Sequence, residues 1–422
     1  MSEGDLSFFV DNEQMPNGQV AQTYVSGVHR MVDPVTTLAR VKPLFGEIGL
    51  TRIANVTGLD IVGIPVVSVC RPNARSNAVC QGKGLTLDAA KASGVMESIE
   101  THCAEHIVRP MFFASARELA KLHQIVDFER FCRVSGSSLS VDTRIMWIEG
   151  RDIVSGEPRM LPFELVHADF TVPRPPGSGY FLLSTNGLAS GNSMPEAILH
   201  GTCEVIERDA ATLFSLDHRL SEARRLDLDS VNDGDCSATI LKLVDAGLVV
   251  AVWDITTDIG VAAFRCQIME RTAGHQGVTI PAEGHGCHPD RAAALVRALT
   301  EAAQARVTAI SGARDDIGPD LYGLAEDPSL LERWRNSLYS TKGKRQFLQV
   351  PNANLKTTEA ELAHVLSCLS SAGFADVVMV DLSPTPSELC AVVRIVVPGL
   401  EGPLHRYYAP GLRGRAHVKK IQ

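Results

Sequence analysis

Apolar and polar positions change period several times along the 422 residues. Thr36–Phe45 is patterned as a helix, and Gly58–Cys70 alternates with β-branched residues as a strand or hairpin does. Gln81-Gly-Lys-Gly84 reads as a Gly-bearing loop leading into a helix from about Leu87 to His106. Residues 107–180 mix strands (Thr143–Ile148, Ile153–Val154) with Pro/Gly turns such as Pro173–Gly179. A second Gly-rich loop, Asn186–Ser193, feeds a helix running to Leu216, and strands follow at Val249–Ile255 and Gly260–Ile268. A third loop, Ala282–Pro289, feeds a helix over Asp290–Ile310. Residues 320–355 carry no clear period. Thr358-Glu-Ala-Glu361 has capping-box spacing before a helix to Ser371, and strands follow at Val377–Asp381 and Ala391–Val397. The fold class is therefore α/β (α+β). Residues 1–25, polar and unpatterned, read as a flexible arm.

Composition narrows the possibilities. At 45% hydrophobic, 21% charged and 5% aromatic, the chain has the make-up of an ordinary globular protein, long enough for two or three subdomains. Forty Lys and Arg against 49 Asp and Glu leave a net charge of −9. Such a chain has no bulk attraction for nucleic acid or an anionic membrane. No apolar run approaches the roughly 20 residues of a membrane span, and the acidic start MSEGDLSFFVDNEQ lacks a basic n-region. The ten cysteines are scattered, with no CxxC among them. Reduced thiols and a cytoplasmic location are expected.

A local repeat supplies the candidate chemistry. Gly94-Val-Met-Glu-Ser-Ile-Glu100 and Gly201-Thr-Cys-Glu-Val-Ile-Glu207 share the pattern G-x-x-E-x-I-E, and Ala298-Leu-Thr-Glu-Ala-Ala-Gln304 is a looser third copy. On a helix, Glu196, His200, Glu204 and Glu207 fall at roughly 0, 40, 80 and 20°. Arg297, Glu301, Gln304 and Thr308 share a face within about 60°. A solvated helix face explains any single ExxE, and Glu196 in Ser193-Met-Pro-Glu196 has capping-box spacing as well. For the set that explanation is weaker. Carboxylates three and four residues apart repel unless a cation intervenes, and only Glu204 has a cation at i+4, Arg208. Converging oxygen ligands suit Mg²⁺. Lys83 between two glycines, Arg208 and Arg297 offer cations for phosphate oxygens. With no Walker A sequence, the set suggests a nucleotide site of a non-P-loop kind. His102-Cys-Ala-Glu-His106 is not HExxH and is not read as a metal site. His285, Cys287 and His288 lack a fourth partner and read as loop residues.

These residues resemble the YcaO family. The likeness runs through Asp60-Ile-Val-Gly-Ile-Pro65, Arg71-Pro72, Gly82-Lys-Gly84, Glu97-Ser-Ile-Glu100 and Thr185-Asn-Gly-Leu-Ala-Ser-Gly-Asn192. It continues through Glu196, Glu204-Val-Ile-Glu-Arg208, Gly286-Cys-His-Pro-Asp290 and Arg297–Arg306, and covers about residues 28–400. The resemblance implies a YcaO domain over 26–400, a C-terminal tail over 401–422, and helices packed on several mostly antiparallel sheets. It implies an enzyme using ATP and Mg²⁺ to phosphorylate the oxygen of a peptide backbone amide attacked by a nucleophile. Carried over by position, Glu97, Glu100, Glu196, Glu204, Glu207 and Glu301 would hold Mg²⁺ or its water. Asn192, Arg208 and Arg297, with Lys83, would meet the nucleotide phosphates, and Arg30 and Thr37 stand where the family has a Lys and a Ser. Glu204, Glu207 and Arg208 would be catalytic. Azoline-forming members often end in a PxPxP tail, absent here, whereas Val393-Arg-Ile-Val-Val-Pro-Gly-Leu-Glu401 resembles members associated with the TfuA partner. Thioamide formation is favoured over azoline formation, and a non-catalytic nucleotide-binding scaffold is the rival from another class. A peptide or protein substrate, a TfuA-like partner protein and a homodimer are the implied partners.

Overall fold

The glycines of the repeat are packing devices. In the computed structural model, which describes residues 29–217, 221–272, 281–314, 316–324, 327–339, 342–405 and 407–421, each Glu-bearing helix lies against a strand that comes before it in the chain. A Cβ on Gly82 would stand 1.9 Å from the Ala90 carbonyl oxygen and 2.2 Å from the Gly94 nitrogen. A Cβ on Gly201 would meet Ile395 at 2.7 Å and the Gly187 oxygen at 3.1 Å. In the third copy, a Cβ on Gly284 would lie 2.4 Å from the Ala298 oxygen, and one on Gly286 2.7 Å from the Ala298 nitrogen. Gly94, Gly201 and Ala298 thus occupy equivalent places, where helix backbone meets strand backbone or the turn leading into it.

This corrects the reading of three Gly-rich loops. Gln81–Lys83 belongs to strand Val79–Lys83, Leu188–Gly191 is a strand, and Ala282–Cys287 is a strand. Their glycines give close approach to a helix, a role that the turn-forming habit of glycine conceals in sequence. His285 and Cys287 accordingly lie in a strand and not in a loop. Smaller corrections follow the same physics. Only Val66–Cys70 of the 58–70 stretch is a strand, and its partners are Arg52–Asn55 and Val79–Lys83. Ile153 and Val154 turn the chain between strands Arg144–Asp152 and Pro158–Pro162. Helix Thr358–Ser371 is capped one residue early, by Thr357, whose side chain accepts from the Ala360 nitrogen. The N-terminal arm expected over 1–25 lies outside the described residues.

The chain forms two compact units. One is built from Tyr24–Ser98 with Asp217–Asn354. It holds an antiparallel sheet of Arg52–Asn55, Val66–Cys70 and Val79–Lys83, and another with Ala263–Glu270 between Leu248–Asp254 and Ala282–Cys287. Helix Arg291–Ser311 packs its alanine-rich face on the second sheet, in a core with Phe264, Leu299 and Phe347. Asp290 caps its start by accepting from Ala292 and Ala293, and Gly312 at φ +56° ends it.

The other unit is built from Ile99–Leu216 with Leu355–Gln422. Its antiparallel sheet runs Met111–Ser115, Arg144–Asp152, Val378–Asp381, Ala391–Val396, Leu188–Gly191, with Pro158–Pro162 also paired to Arg144–Asp152. Helix Met194–Leu216 lies on the last two strands of that order, and helices Thr358–Ser371 and Leu412–Ile421 pack against it. The chain passes from one unit to the other within helix Leu87–Glu105. No cysteine forms a disulfide, and no helix among the described residues is long and apolar enough to cross a membrane.

Candidate active site

In the unit built from Tyr24–Ser98 with Asp217–Asn354, Glu97 on helix Leu87–Glu105 and Glu301 on helix Arg291–Ser311 both stand beside strand Val79–Lys83. Alternation along Val79–Lys83 turns Gly82 to helix Leu87–Glu105, while Gln81 and Lys83 meet helix Arg291–Ser311. The Lys83 ammonium pairs with Glu301 Oε2, and Glu301 Oε1 accepts from the His285 nitrogen at 3.2 Å. Gln304 Nε2 donates to the Gln81 carbonyl at 2.8 Å, and the Thr308 hydroxyl bonds Gln81 Oε1. The helical face reckoned from sequence exists, and three of its four residues meet this strand. Arg297, the fourth, donates Nη1 to the Cys287 carbonyl at 3.1 Å. Burial raises the Glu97 carboxyl above its ordinary range; the charges of Arg314 and Lys83 oppose that, and Glu301 reinforces it. Thr37 is buried in helix Pro34–Val41, its hydroxyl on the Asp33 carbonyl at 3.2 Å, and Arg30 sits partly buried just before that helix.

In the other unit the remaining carboxylates line helix Met194–Leu216 and the end of helix Leu87–Glu105. Their position follows from the repeat. Three and six residues after the packing glycine, Glu204 and Glu207 lie about 60° and 120° round the helix from Gly201, on one side of the face that meets the sheet. Glu207, Glu196 and Glu100 are buried and Glu204 is partly so. Glu100 Oε1 accepts from the Ser190 hydroxyl at 2.6 Å. Glu196 Oε1 accepts from Asn192 Nδ2 at 3.3 Å, and its own nitrogen donates to Ser193 Oγ at 3.4 Å. Glu204 Oε1 accepts from the Gly187 nitrogen at 3.3 Å.

Burial pushes the Glu204 carboxyl up to about 7; Arg208 opposes the shift, Glu207 adds to it, and Arg394 opposes it weakly. Such crowding of buried carboxylates is costly without a cation and is relieved by one. Arg394 is the residue that sequence reasoning left without a role. It lies in strand Ala391–Val396, is 3% exposed, and donates Nη2 to the Ser184 carbonyl at 2.8 Å. Its Nε and Nη1 are buried with no protein acceptor. Burial lowers its guanidinium to about 10, which the Glu204 charge opposes. Arg394 and Glu204 are thus tied to the same short turn, one through Ser184 and the other through Gly187. A charge in the middle of Ala391-Val-Val-Arg-Ile-Val396 was the available signal, since a buried strand carries an arginine only where something pairs with it. Carboxylates suited to a hard divalent ion, beside guanidinium donors that lack acceptors, fit Mg²⁺ and phosphate oxygens.

Comparison with known proteins agrees with this chemistry. The family model described as YcaO cyclodehydratase, ATP- and Mg²⁺-binding, matches residues 81–401. The chain is 35% identical over 409 residues to a Rhizobium leguminosarum bv. trifolii protein described as lying in the tfuA 3′ region, with 94% of each chain covered. It is 32% identical over 378 residues to a protein of Methanothermobacter thermautotrophicus, covering 88% of this chain and 94% of that one. Among solved structures it is similar to YcaO from Methanopyrus kandleri bound with AMPPCP and Mg²⁺, at 21% identity and a TM-score of 0.70, over 90% of this chain and 95% of the other. A heterocyclase in complex with substrate and cofactor gives 21% identity and 0.71, over 91% of this chain and 54% of the other. At that identity the structural likeness concerns the fold. The α/β fold with several antiparallel sheets is the YcaO fold, ATP and Mg²⁺ are the cofactors, and the chain belongs to the YcaO family, whose ATP- and Mg²⁺-dependent enzymes activate the peptide backbone.

Proposed function

We propose that this enzyme exchanges a backbone amide oxygen of a ribosomally made peptide or protein for sulfur, giving a thioamide, and that it works with a TfuA-like partner protein. The observation that carries the sulfur reading is the tfuA neighbourhood of its Rhizobium relative. In this reading a sulfur nucleophile adds to the amide carbonyl, the oxygen of the adduct takes a phosphoryl group, and the carbon–oxygen bond breaks with phosphate leaving. Bound MgATP supplies the phosphoryl group that makes an otherwise poor leaving group depart.

The protein's part is charge placement and alignment. Glu97 and Glu301, and likewise Glu100, Glu196, Glu204 and Glu207, serve as ligands of Mg²⁺ or of its water. Asn192, Arg208 and Arg297 contact phosphate oxygens, with Arg30 and Thr37 contributing from the chain's start. Glu204, Glu207 and Arg208 carry the reaction itself. Lys83 holds Glu301 in place and is available to a phosphate only if that pair opens. The buried donors of Arg394 support a role beside Arg208 in stabilising charge near Glu204. The enzyme is proposed to act in the cytoplasm as a homodimer.

The test is to co-express the chain with its partner and a candidate peptide and weigh the product. Oxygen-to-sulfur exchange raises the mass. Loss of one water marks an azoline, the reading that the family description "cyclodehydratase" favours, and contradicts thioamidation.

A further inference from the structure

The last turn of helix Leu87–Glu105 and the residue after it bring together His102, Glu105 and His106. One ligand atom from each, an imidazole nitrogen from either histidine and a carboxylate oxygen, lie within 4.8 Å of one another. The two rings stack with centroids 4.4 Å apart and planes 29° from parallel, so both nitrogens reach the same side of the helix. The spacing i, i+3, i+4 places the three on one helix face, although the carboxylate follows the first histidine by three residues and not by one as in HExxH.

A second observation concerns the protons. His106 Nδ1 lies 3.0 Å from the His102 carbonyl oxygen. A carbonyl only accepts, so Nδ1 carries the hydrogen, and Nε2 of the neutral ring keeps its lone pair. That arrangement, one ring nitrogen donating to a backbone carbonyl and the other left as a donor of electrons, is the one metal-binding histidines adopt. Glu105 is 3% exposed and His106 is exposed. The cluster therefore runs from a buried carboxylate to an imidazole at the surface.

Two imidazoles and one carboxylate form a borderline donor set, suited to Zn²⁺, Ni²⁺ or Cu²⁺ and poorly suited to Mg²⁺, which prefers oxygen throughout. We propose that His102, Glu105 and His106 form a binding site for a divalent first-row transition ion of the Zn²⁺ class, separate from the carboxylates assigned to Mg²⁺. The site does not rest on the thioamidation reading.

Zn²⁺ titration of the full chain against a chromophoric chelator tests it. The expected result is a single Zn²⁺ whose affinity falls roughly tenfold or more in His102→Ala, His106→Ala and Glu105→Gln, and is unchanged by excess Mg²⁺. Loading with Co²⁺ should give a spectrum without a thiolate charge-transfer band, since the chain has ten cysteines as rival ligands. No Zn²⁺ binding, full affinity in the His102→Ala/His106→Ala double variant, displacement by Mg²⁺, or a thiolate band would each overturn the proposal. Should the double variant fail to fold, His106→Gln, which alters an exposed side chain, carries the same comparison.

Discussion

Arg413 donates Nε to both carboxylate oxygens of Asp209 at 3.0 Å, two residues along the helix from Glu207. Asp209 is fully buried and also accepts from the Glu401 nitrogen at 2.9 Å. Burial raises its carboxyl to about 6, with Arg413 opposing. Glu401 in turn accepts from the nitrogens of Gly411 and Gly414 at the start of the C-terminal helix Leu412–Ile421. The last residues of the chain are thereby fastened to the helix that carries Glu204. Arg413→Met leaves Asp209 buried without its cation, and the expected loss is about 3–5 kcal/mol in urea unfolding. The Asp209→Asn/Arg413→Met pair should lose less than the single Arg413 change. Equal stability of Arg413→Met and the parent contradicts this anchoring.

The repeat glycines make a second prediction. A Cβ at Gly201 meets Ile395 at 2.7 Å, while one at Gly234, the first residue of helix Gly234–Asp245, meets nothing within 4 Å. Gly201→Ala should destabilise by about 1–3 kcal/mol, and Gly234→Ala should be neutral or stabilising by up to about 1 kcal/mol. Chemical denaturation of the two variants decides it. Similar values for both would remove the close-packing explanation of the repeat.

Much of this architecture was legible beforehand, and the reasons differ by element. The Glu-bearing helices declared themselves because each is long and their carboxylates recur at fixed offsets from a small residue. The strands Val79–Lys83 and Ala282–Cys287 did not, because Gly82, Gly284 and Gly286 imitate loop composition while serving contact with a helix. The roles of Ser190, Gln81 and Arg314 have no signal in the sequence because their partners Glu100, Thr308 and Glu97 are distant along the chain. No local pattern marks such pairs. Arg394 was visible as a charge in an apolar strand, but its tie to the turn before Glu204 needed coordinates.

His167 is 2% exposed and stacks on Phe163 with centroids 4.7 Å apart. Burial lowers its imidazole to about 4 from an ordinary 6.5; Arg394 adds to the shift and Asp169 opposes it. The folded state therefore binds its proton less readily than the unfolded chain. The resulting stability is complete above about pH 6.5 and is lost as pH falls towards 4, by up to about 3 kcal/mol. His167→Phe should flatten the acid limb of the stability profile between those values. An unchanged limb contradicts the assignment.

Arg394→Met removes donors argued to face developing charge. It should lower turnover roughly 10²-fold with the fold retained by circular dichroism. Parent-like kcat in that variant would assign Arg394 to packing alone.

Calorimetry of ATP binding with and without Mg²⁺, in the parent and in Glu204→Gln, decides whether these carboxylates hold the metal that ATP needs. Mg²⁺-dependent binding is expected in the parent, with loss of that dependence in the variant and no phosphate release from the variant although it stays folded. ATP binding and phosphate release that are the same in both proteins would contradict that role.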